Sequence, residues 1–370
     1  MHIFFFTHDF DSGGSSRSLL ILVRELAKQH KVSIVSLLPP RFSKNNLSQY
    51  KKLGVPVYVF NWGWLPASYV GCFVSEERQT MYYEQFKHNI PALLELLQPA
   101  DLVCFNGFPT TSLAAKLPGK LPKFLIAREV VDKASRKYRE TGAFLQRTIK
   151  HAIAISPMEA EQLADWRIPH TVIFNTSANT PEAHPLPPSP PVHFGMFGQI
   201  VPAKGQRNLL RACTLHADAL RANGAIVHIY GDTGHPESDF LEAQISEHGI
   251  QDIVRMEGWE QDVEARMREM HCMIRTDVTG SPWGRDVIEA MSMGRPMAAT
   301  GRNTVFIQPG INGELFAPDD PDALGGILVK LSGNPDILCE YARNAFSFAR
   351  DNFDPAVNAR AIEAILTGQA

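Results

Sequence analysis

Short runs of β-branched and aromatic residues alternate along this chain with longer stretches whose apolar positions recur every three to four residues. That is the pattern of βαβ units. HIFFFTH (residues 2–8) predicts a first strand, and Ser16 to His30 predicts a helix with Leu19, Leu20, Val23 and Leu26 on one face. VSIVSLL and VPVYVF predict two more strands, and Tyr82 to Leu97 a second helix. DLVCFN, KFLIARE, AIAIS and HTVIFN predict four further strands. From Ser177 the pattern changes to SANTPEAHPLPPSPP, with five prolines between Pro185 and Pro191. Such a segment cannot supply a ladder of N–H donors and predicts an extended, semi-rigid linker. A second alternating series follows, with strands at HFGMFG, AIVHIYG, IVRME, CMIRT and PMAAT. Its helices are predicted from Arg207 to Ala222, from Asp239 to His248, up to about Met270, and from about Gly284. The turn-rich INGELFAPDD then leads into two final helices.

Composition agrees with two globular α/β domains. The 370 residues are 44% hydrophobic and 20% charged, ordinary globular values. MHIFFFTHDF has no basic leading segment and no small-residue cleavage site, so it reads as a strand rather than a secretory signal. No apolar run approaches the roughly 18 residues of a membrane span. Cys72, Cys104, Cys213, Cys272 and Cys339 are odd in number and form no CxxC pair, so free thiols in a reducing, cytoplasmic setting are expected. The net charge of -3 argues against nucleic acid as a partner, but it is unevenly spread. Residues 1–188 hold 21 Lys+Arg against 15 Asp+Glu, and the rest 15 against 24. Lys133, Arg136, Lys137 and Arg139 lie close together in the basic half. They suit either a solvated helix face or a surface for an anionic acceptor or a membrane at its cytoplasmic side.

Three segments carry candidate chemistry. Gly13 and Gly14, followed by Ser15 and Ser16, lie between the first strand and the first helix. Glycine lets a ligand approach the backbone, and the helix N-terminus offers unpaired N–H groups to an anion. The same segment also fits a plain strand–helix turn with a serine cap. The second, Gly198 to Gly205 (GQIVPAKG), follows the first strand of the second half. Its Lys204 can meet a diphosphate at the carboxyl edge of a parallel sheet, and also fits a plain surface lysine in a turn. The third runs from Thr276 to Met291 (TDVTGSPWGRDVIEAM), a loop entering a helix whose N-terminal amides suit a phosphate. Glu289, inside that helix, suits the two hydroxyls of a ribose, because a buried carboxylate without a polar partner is costly. Trp283 either walls a sugar pocket or staples the loop to the core. Neither half has G-x-G-x-x-G with a ribose acid about 20 residues on, which disfavours a nicotinamide oxidoreductase.

GGSSRSLL, GQIVPAKG, IYGD, the segment Glu257 to Trp259, PWGRDVIEAMSMGRP and INGELFAPDD together resemble the family 4 retaining glycosyltransferases of GT-B fold (group 1 glycosyltransferases). The order and spacing agree over nearly the whole chain, more specifically in the second half. The resemblance implies an α/β architecture of two Rossmann-like domains facing each other across a cleft, with a C-terminal helix returning to the first. Residues 1–185 would bind the acceptor, 186–345 the nucleotide-sugar, and 346–370 would form the returning helix. The implied activity is metal-independent, retaining transfer of a hexosyl or related group from a nucleoside diphosphate sugar, UDP or GDP. The acceptor would be a hydroxyl of a glycan, lipid-linked or small molecule, as in polysaccharide or glycoconjugate synthesis. No cofactor is implied.

Residue by residue, the resemblance places Gly13, Gly14, Ser15, Gln199, Lys204, Trp259, Ser281, Trp283, Gly284, Arg285 and Glu289 around the donor. Lys204 would meet the phosphates, Glu289 the ribose, and the Trp259 segment the base. His8, Asp9, Asn106, Arg128 and Glu129, each just past a strand, would face the acceptor, with Arg128 and Glu129 counted with Lys204 and Glu289 as catalytic candidates. Two positions depart from the family pattern. Ser281 stands where the first glutamate of E-x7-E contacts the transferred sugar, and Gln199 where an arginine meets the leaving diphosphate. Arg285 or Arg17 would then supply the missing charge. These departures keep open the alternative of a catalytically degenerate nucleotide-binding or scaffold protein.

Overall fold

The structure, a computed structural model, describes residues 1–8, 10, 13–37, 46–60 and 87–369, with the backbone alone at 136 and 137. The chain divides into two compact units, Met1–Thr176 with Pro355–Ala370, and Ser177–Asp354. In the first unit the described elements are β1 (His2–Thr7), α1 (Gly14–Leu26), β2 (Lys31–Ser36), α2 (Leu47–Lys52), β3 (Val57–Val59), α3 (Ile90–Leu96), β4 (Leu102–Asn106), a 3-10 stretch (Phe108–Lys116), β5 (Lys123–Ala127), α4 (Arg136–Thr148), β6 (His151–Ala154), α5 (Pro157–Asp165) and β7 (His170–Val172). Its sheet runs β3-β2-β1-β4-β5-β6-β7. Every pairing is parallel, as in β1 on β2 from His2↔Lys31 to Thr7↔Ser36. Both faces of β1 are covered, which is why it reads as a continuous apolar run rather than an alternation.

The second unit contains β8 (Val192–Phe197), a 3-10 turn (Pro202–Lys204), α6 (Gln206–Leu215), α7 (Ala217–Ala222), β9 (Ala225–Tyr230), α8 (Pro236–Glu247), β10 (Val254–Gly258), α9 (Val263–Arg268), β11 (Cys272–Arg275), α10 (Arg285–Ser292), β12 (Met297–Thr300), β13 (Gly313–Phe316), α11 (Pro321–Ser332) and α12 (Pro335–Asn352). Its parallel sheet runs β10-β9-β8-β11-β12-β13. In each unit the strand order reverses beside the first strand, at β1/β4 and at β8/β11. At such switch points the loops leaving two strands diverge and open a ligand crevice. A final helix, α13 (Pro355–Thr367), packs in the first unit, where Ala359, Ile362, Ile365 and Leu366 join Leu19, Leu22, Val23 and Leu26 in one core.

Several expectations need correction. INGELFAPDD is not all turn, because Gly313–Phe316 pairs with β12. Three helices follow it, not two. The helix expected from Arg207 to Ala222 breaks at His216 (φ -114°, ψ 19°). The unit boundaries fall at 176/177 and 354/355 rather than at 185 and 346. The segment expected to be a linker, 177–191, lies wholly in the second unit, where Glu182 N–H donates to Ser292 O at 3.0 Å and His184 N–H to Met293 O at 3.2 Å. Arg295, fully buried, donates to the carbonyls of His184 and Pro185 at 2.8 and 3.0 Å. Among the described residues no helix is long and apolar enough to cross a membrane. Cys104, Cys213 and Cys272 are buried free thiols and Cys339 is exposed, while Cys72 lies outside the described residues. The helix expected from Tyr82 lies partly outside them as well.

Candidate functional site

In the second unit the site is built from the loops that leave β8 and β11. The β8 loop passes through the 3-10 turn Pro202–Lys204 to Gly205, whose φ is +75°. A Cβ at Gly205 would stand 2.0 Å from the Thr276 carbonyl, so only glycine lets the two loops close on one another. They are zipped together there. Val278 N–H donates to Ala203 O at 3.1 Å, and Thr276 Oγ1 donates to Lys204 O at 2.7 Å. The exposed Gln199 offers its carbonyl to Gln206 Nε2 at 2.8 Å.

This seam brings four charges together. Lys204 Nζ lies 3.0 Å from Asp277 Oδ2. Arg275 holds both oxygens of Asp286 at 2.9 Å, donates to Ser281 O at 2.9 Å, and reaches Asp277 Oδ2 at 3.4 Å. Asp277 Oδ1 accepts from Thr279 N–H at 3.1 Å and Thr279 Oγ1 at 2.6 Å. Burial alone would raise the Asp277 carboxyl, but the bonds from Thr279 and Lys204 outweigh it and hold the group below the usual carboxylate range. Sequence reasoning gave Arg275, Asp277 and Asp286 no role. For Arg275 and Asp277 the signal was charge at the end of an otherwise buried strand, and for Asp286 an acidic residue in the first turn of a helix.

Gly284 caps α10 in extended conformation without a side-chain bond, so the first amides of that helix have no intrahelical acceptor. One turn in, Glu289 is 6% exposed and its Oε1 accepts from Arg285 Nε and Nη2 at 3.1 and 2.8 Å. Arg285, expected to supply leaving-group charge, is thus engaged with the carboxylate expected at the ribose. Glu289 lines a pocket shared with Ser177–Glu182, Glu264, Arg268 and Ser292. Ser281 Oγ donates to Trp283 O at 3.4 Å, and the Trp283 ring packs against Phe306 at 5.7 Å. Trp259 is 55% exposed just past β10. Beside it, Glu257 Oε1 lies 2.7 Å from His228 Nδ1.

In the first unit the β1/β4 switch point carries a polar chain. Buried Asn106 donates from Nδ2 to Ser15 Oγ at 3.1 Å and accepts at Oδ1 from Arg128 Nε at 2.6 Å. Arg128 Nη1 donates to Asn175 Oδ1 at 2.8 Å, a residue that sequence reasoning missed although it ends the predicted strand HTVIFN. Glu129 turns elsewhere: its Oε2 accepts from Phe108 N–H at 2.8 Å at the start of the 3-10 stretch, and burial pushes its carboxyl up. Gly13 caps α1 at an ordinary φ of -65°, and a Cβ there meets nothing described within 4 Å. The described fold therefore leaves open space at Gly13. Gly14 opens α1, and His8 is partly buried at the end of β1. Asp9 lies outside the described residues. Of the basic cluster, Lys133 is held by Glu161 and Asp165 at 3.0 and 2.8 Å.

Residues 191–334 match the family model described as "Glycosyl transferases group 1". No curated protein matches the chain by sequence. Among solved structures, the Anabaena protein HepE in complex with UDP-glucose is similar at 19% identity and a TM-score of 0.77, covering 100% of both chains. A glycosyltransferase from Rickettsia africae is similar at 16% identity and 0.77, covering 98% of this chain and 97% of that one. Sucrose-phosphate synthase from Thermosynechococcus elongatus is similar at 15% identity and 0.77, covering 100% and 99%. At these identities the likeness is one of fold. Both parallel-sheet units and the C-terminal helix have the GT-B glycosyltransferase architecture.

Proposed function

We propose that the chain is a glycosyltransferase that takes a sugar from a nucleoside diphosphate donor and delivers it to a hydroxyl acceptor. One observation carries this reading. At the β8/β11 switch point, inside the matched residues 191–334, Lys204 and the loop that leads into the uncapped α10 meet where Gly205 lets the two backbones touch, and the buried Glu289 lies one turn inside that helix. Lys204 and the α10 amides stabilise the departing diphosphate, where negative charge grows most in the transition state. Glu289 accepts the ribose hydroxyls, and Trp259, exposed past β10, offers a face to the base. The similarity to HepE, whose structures hold UDP and UDP-glucose, favours a uridine donor. Retention, independence from metal and a hexosyl group are part of the proposal. On the acceptor side, Asn106, Arg128, His8 and Asp9 are proposed to position the incoming hydroxyl, while Glu129, bound to the Phe108 amide, holds the turn that begins there. Ser281 and Gln199, in place of a glutamate and an arginine, favour a second reading: a protein that binds the nucleotide without turnover.

The test is a thermal-shift panel of UDP, GDP, ADP and dTDP and their sugars, followed by donor hydrolysis and transfer assays. A binding nucleotide raises the melting temperature because it binds only the folded state. Lys204→Ala is expected to raise the donor KM about 10- to 100-fold, the loss of one charge-assisted contact. Nucleotide binding with no turnover on any sugar would select the second reading, and no nucleotide binding would sink both.

A further inference from the structure

The lysine proposed to hold the diphosphate already has an anion. Lys204 Nζ sits 3.0 Å from Asp277 Oδ2, and that is its one side-chain partner among the described residues. The two sides of this pair are held very differently. Asp277 is only 10% exposed, takes two bonds from Thr279 at Oδ1, and has its carbonyl tied by Thr300 Oγ1 at 2.8 Å. Arg275 Nη2 stands 3.4 Å from the same Oδ2 that Lys204 uses. The carboxylate therefore stays in place, and stays partnered, when the lysine leaves. Lys204, by contrast, is 35% exposed on a four-carbon stem, at the end of a turn.

The charges of this cluster match one another. Lys204 and Arg275 stand against Asp277 and Asp286 in one connected cluster. An incoming diphosphate meets a neutral group, not a bare cation, and gains the lysine only by taking it from Asp277. Because the carboxylate remains nearby, it draws the lysine back when the diphosphate departs.

We propose that Asp277 is an internal competitor for Lys204, a positioning residue that weakens the hold on the nucleoside diphosphate and so speeds release of the spent donor. This rests on the donor reading above. It adds a residue to which that reading gave no role, and it ties donor affinity to one ion pair within the second unit. Asp277→Asn keeps the shape and an acceptor for Thr279 while removing the charge.

The experiment is calorimetric titration of the whole protein with UDP and with uridine, on wild type, Asp277→Asn, Lys204→Ala and the double variant. Asp277→Asn is expected to bind UDP at least fivefold more tightly with unchanged affinity for uridine, and to show stronger inhibition by UDP in turnover. The gain is expected to vanish when Lys204 is alanine. Unchanged or weaker UDP binding in Asp277→Asn, or a gain that persists without the lysine, would overturn the inference and leave the donor reading standing. A wild-type protein with no affinity for UDP, GDP, ADP or dTDP would overturn the donor reading, and this inference with it. If wild type prefers another of these diphosphates, that one and its nucleoside replace UDP and uridine. If Asp277→Asn does not fold, Asp277→Ser serves the same comparison.

Discussion

Arg128 and Glu129 are neighbours in sequence, yet their side chains serve different parts of the first unit. Arg128 joins Asn106 and Asn175 across the sheet edge, whereas Glu129 caps the turn that begins at Phe108. Burial raises the Glu129 carboxyl, so its protonated form favours the fold. A group whose folded value is raised contributes stability below its unfolded value of 4.5, and that contribution is lost as pH rises through the folded value. Glu129→Gln keeps an acceptor for the Phe108 amide without the charge. It is expected to melt a few degrees higher than wild type at pH 7, about 1 kcal/mol, with the difference shrinking by pH 4.5. Thermal scans at the two pH values check this, and a lower melting point at pH 7 would contradict it. At this scale the sequence was partly legible. Lys204 and Glu289 stand where loop and helix patterns put them, but the partner of Lys204 is 73 residues away and carries no local signature.

Among the elements, β8 and β11 are joined by more than their ladder. His193 N–H donates to His271 Nδ1 at 3.0 Å, and His271 Nε2 lies 3.1 Å from the Pro187 carbonyl. A backbone N–H must donate and a carbonyl must accept, so the ring is neutral with its proton on Nε2. Burial agrees, lowering His271 to about 4 from 6.5. Stability from this ring is present above pH 6.5 and is lost as pH falls toward 4, about 3 kcal/mol in all. Denaturant titrations of wild type and His271→Gln are expected to show a steeper loss between these pH values in wild type. Parallel slopes would refute the assignment. Strands buried on both faces were readable from the sequence as apolar runs. β13 was not, because four residues between turn formers carry little periodic signal, and the break at His216 was hidden by an unbroken helical period.

For the whole molecule, the last helix decides which residues complete the first unit. Ile362, Ile365 and Leu366 of α13 pack in one core with Leu19, Leu22 and Val23 of α1. Removing Pro355–Ala370 is expected to destabilise the first unit by about 5 kcal/mol or more, from three large side chains lost. Calorimetry is expected to show that transition lowered or absent while the transition of Ser177–Asp354, marked by its response to nucleotide, is retained. Loss of both together would show that the units do not unfold separately. The linker prolines mark a division, but the chain passes into the second unit at Ser177, because hydrogen bonds to Ser292, Met293 and Arg295 hold the residues before them. From sequence alone come the two parallel-sheet halves, their strand–loop–helix order, the loop bearing Lys204 and the helix bearing Glu289. These depend on local periodicity and on glycine and proline, whose effects act over a few residues. Only the tertiary structure decided that Asp277 meets Lys204 and that Asn175 meets Arg128. Those contacts join positions far apart in the chain, and their energy exists only once the sheets have brought them within a few ångströms.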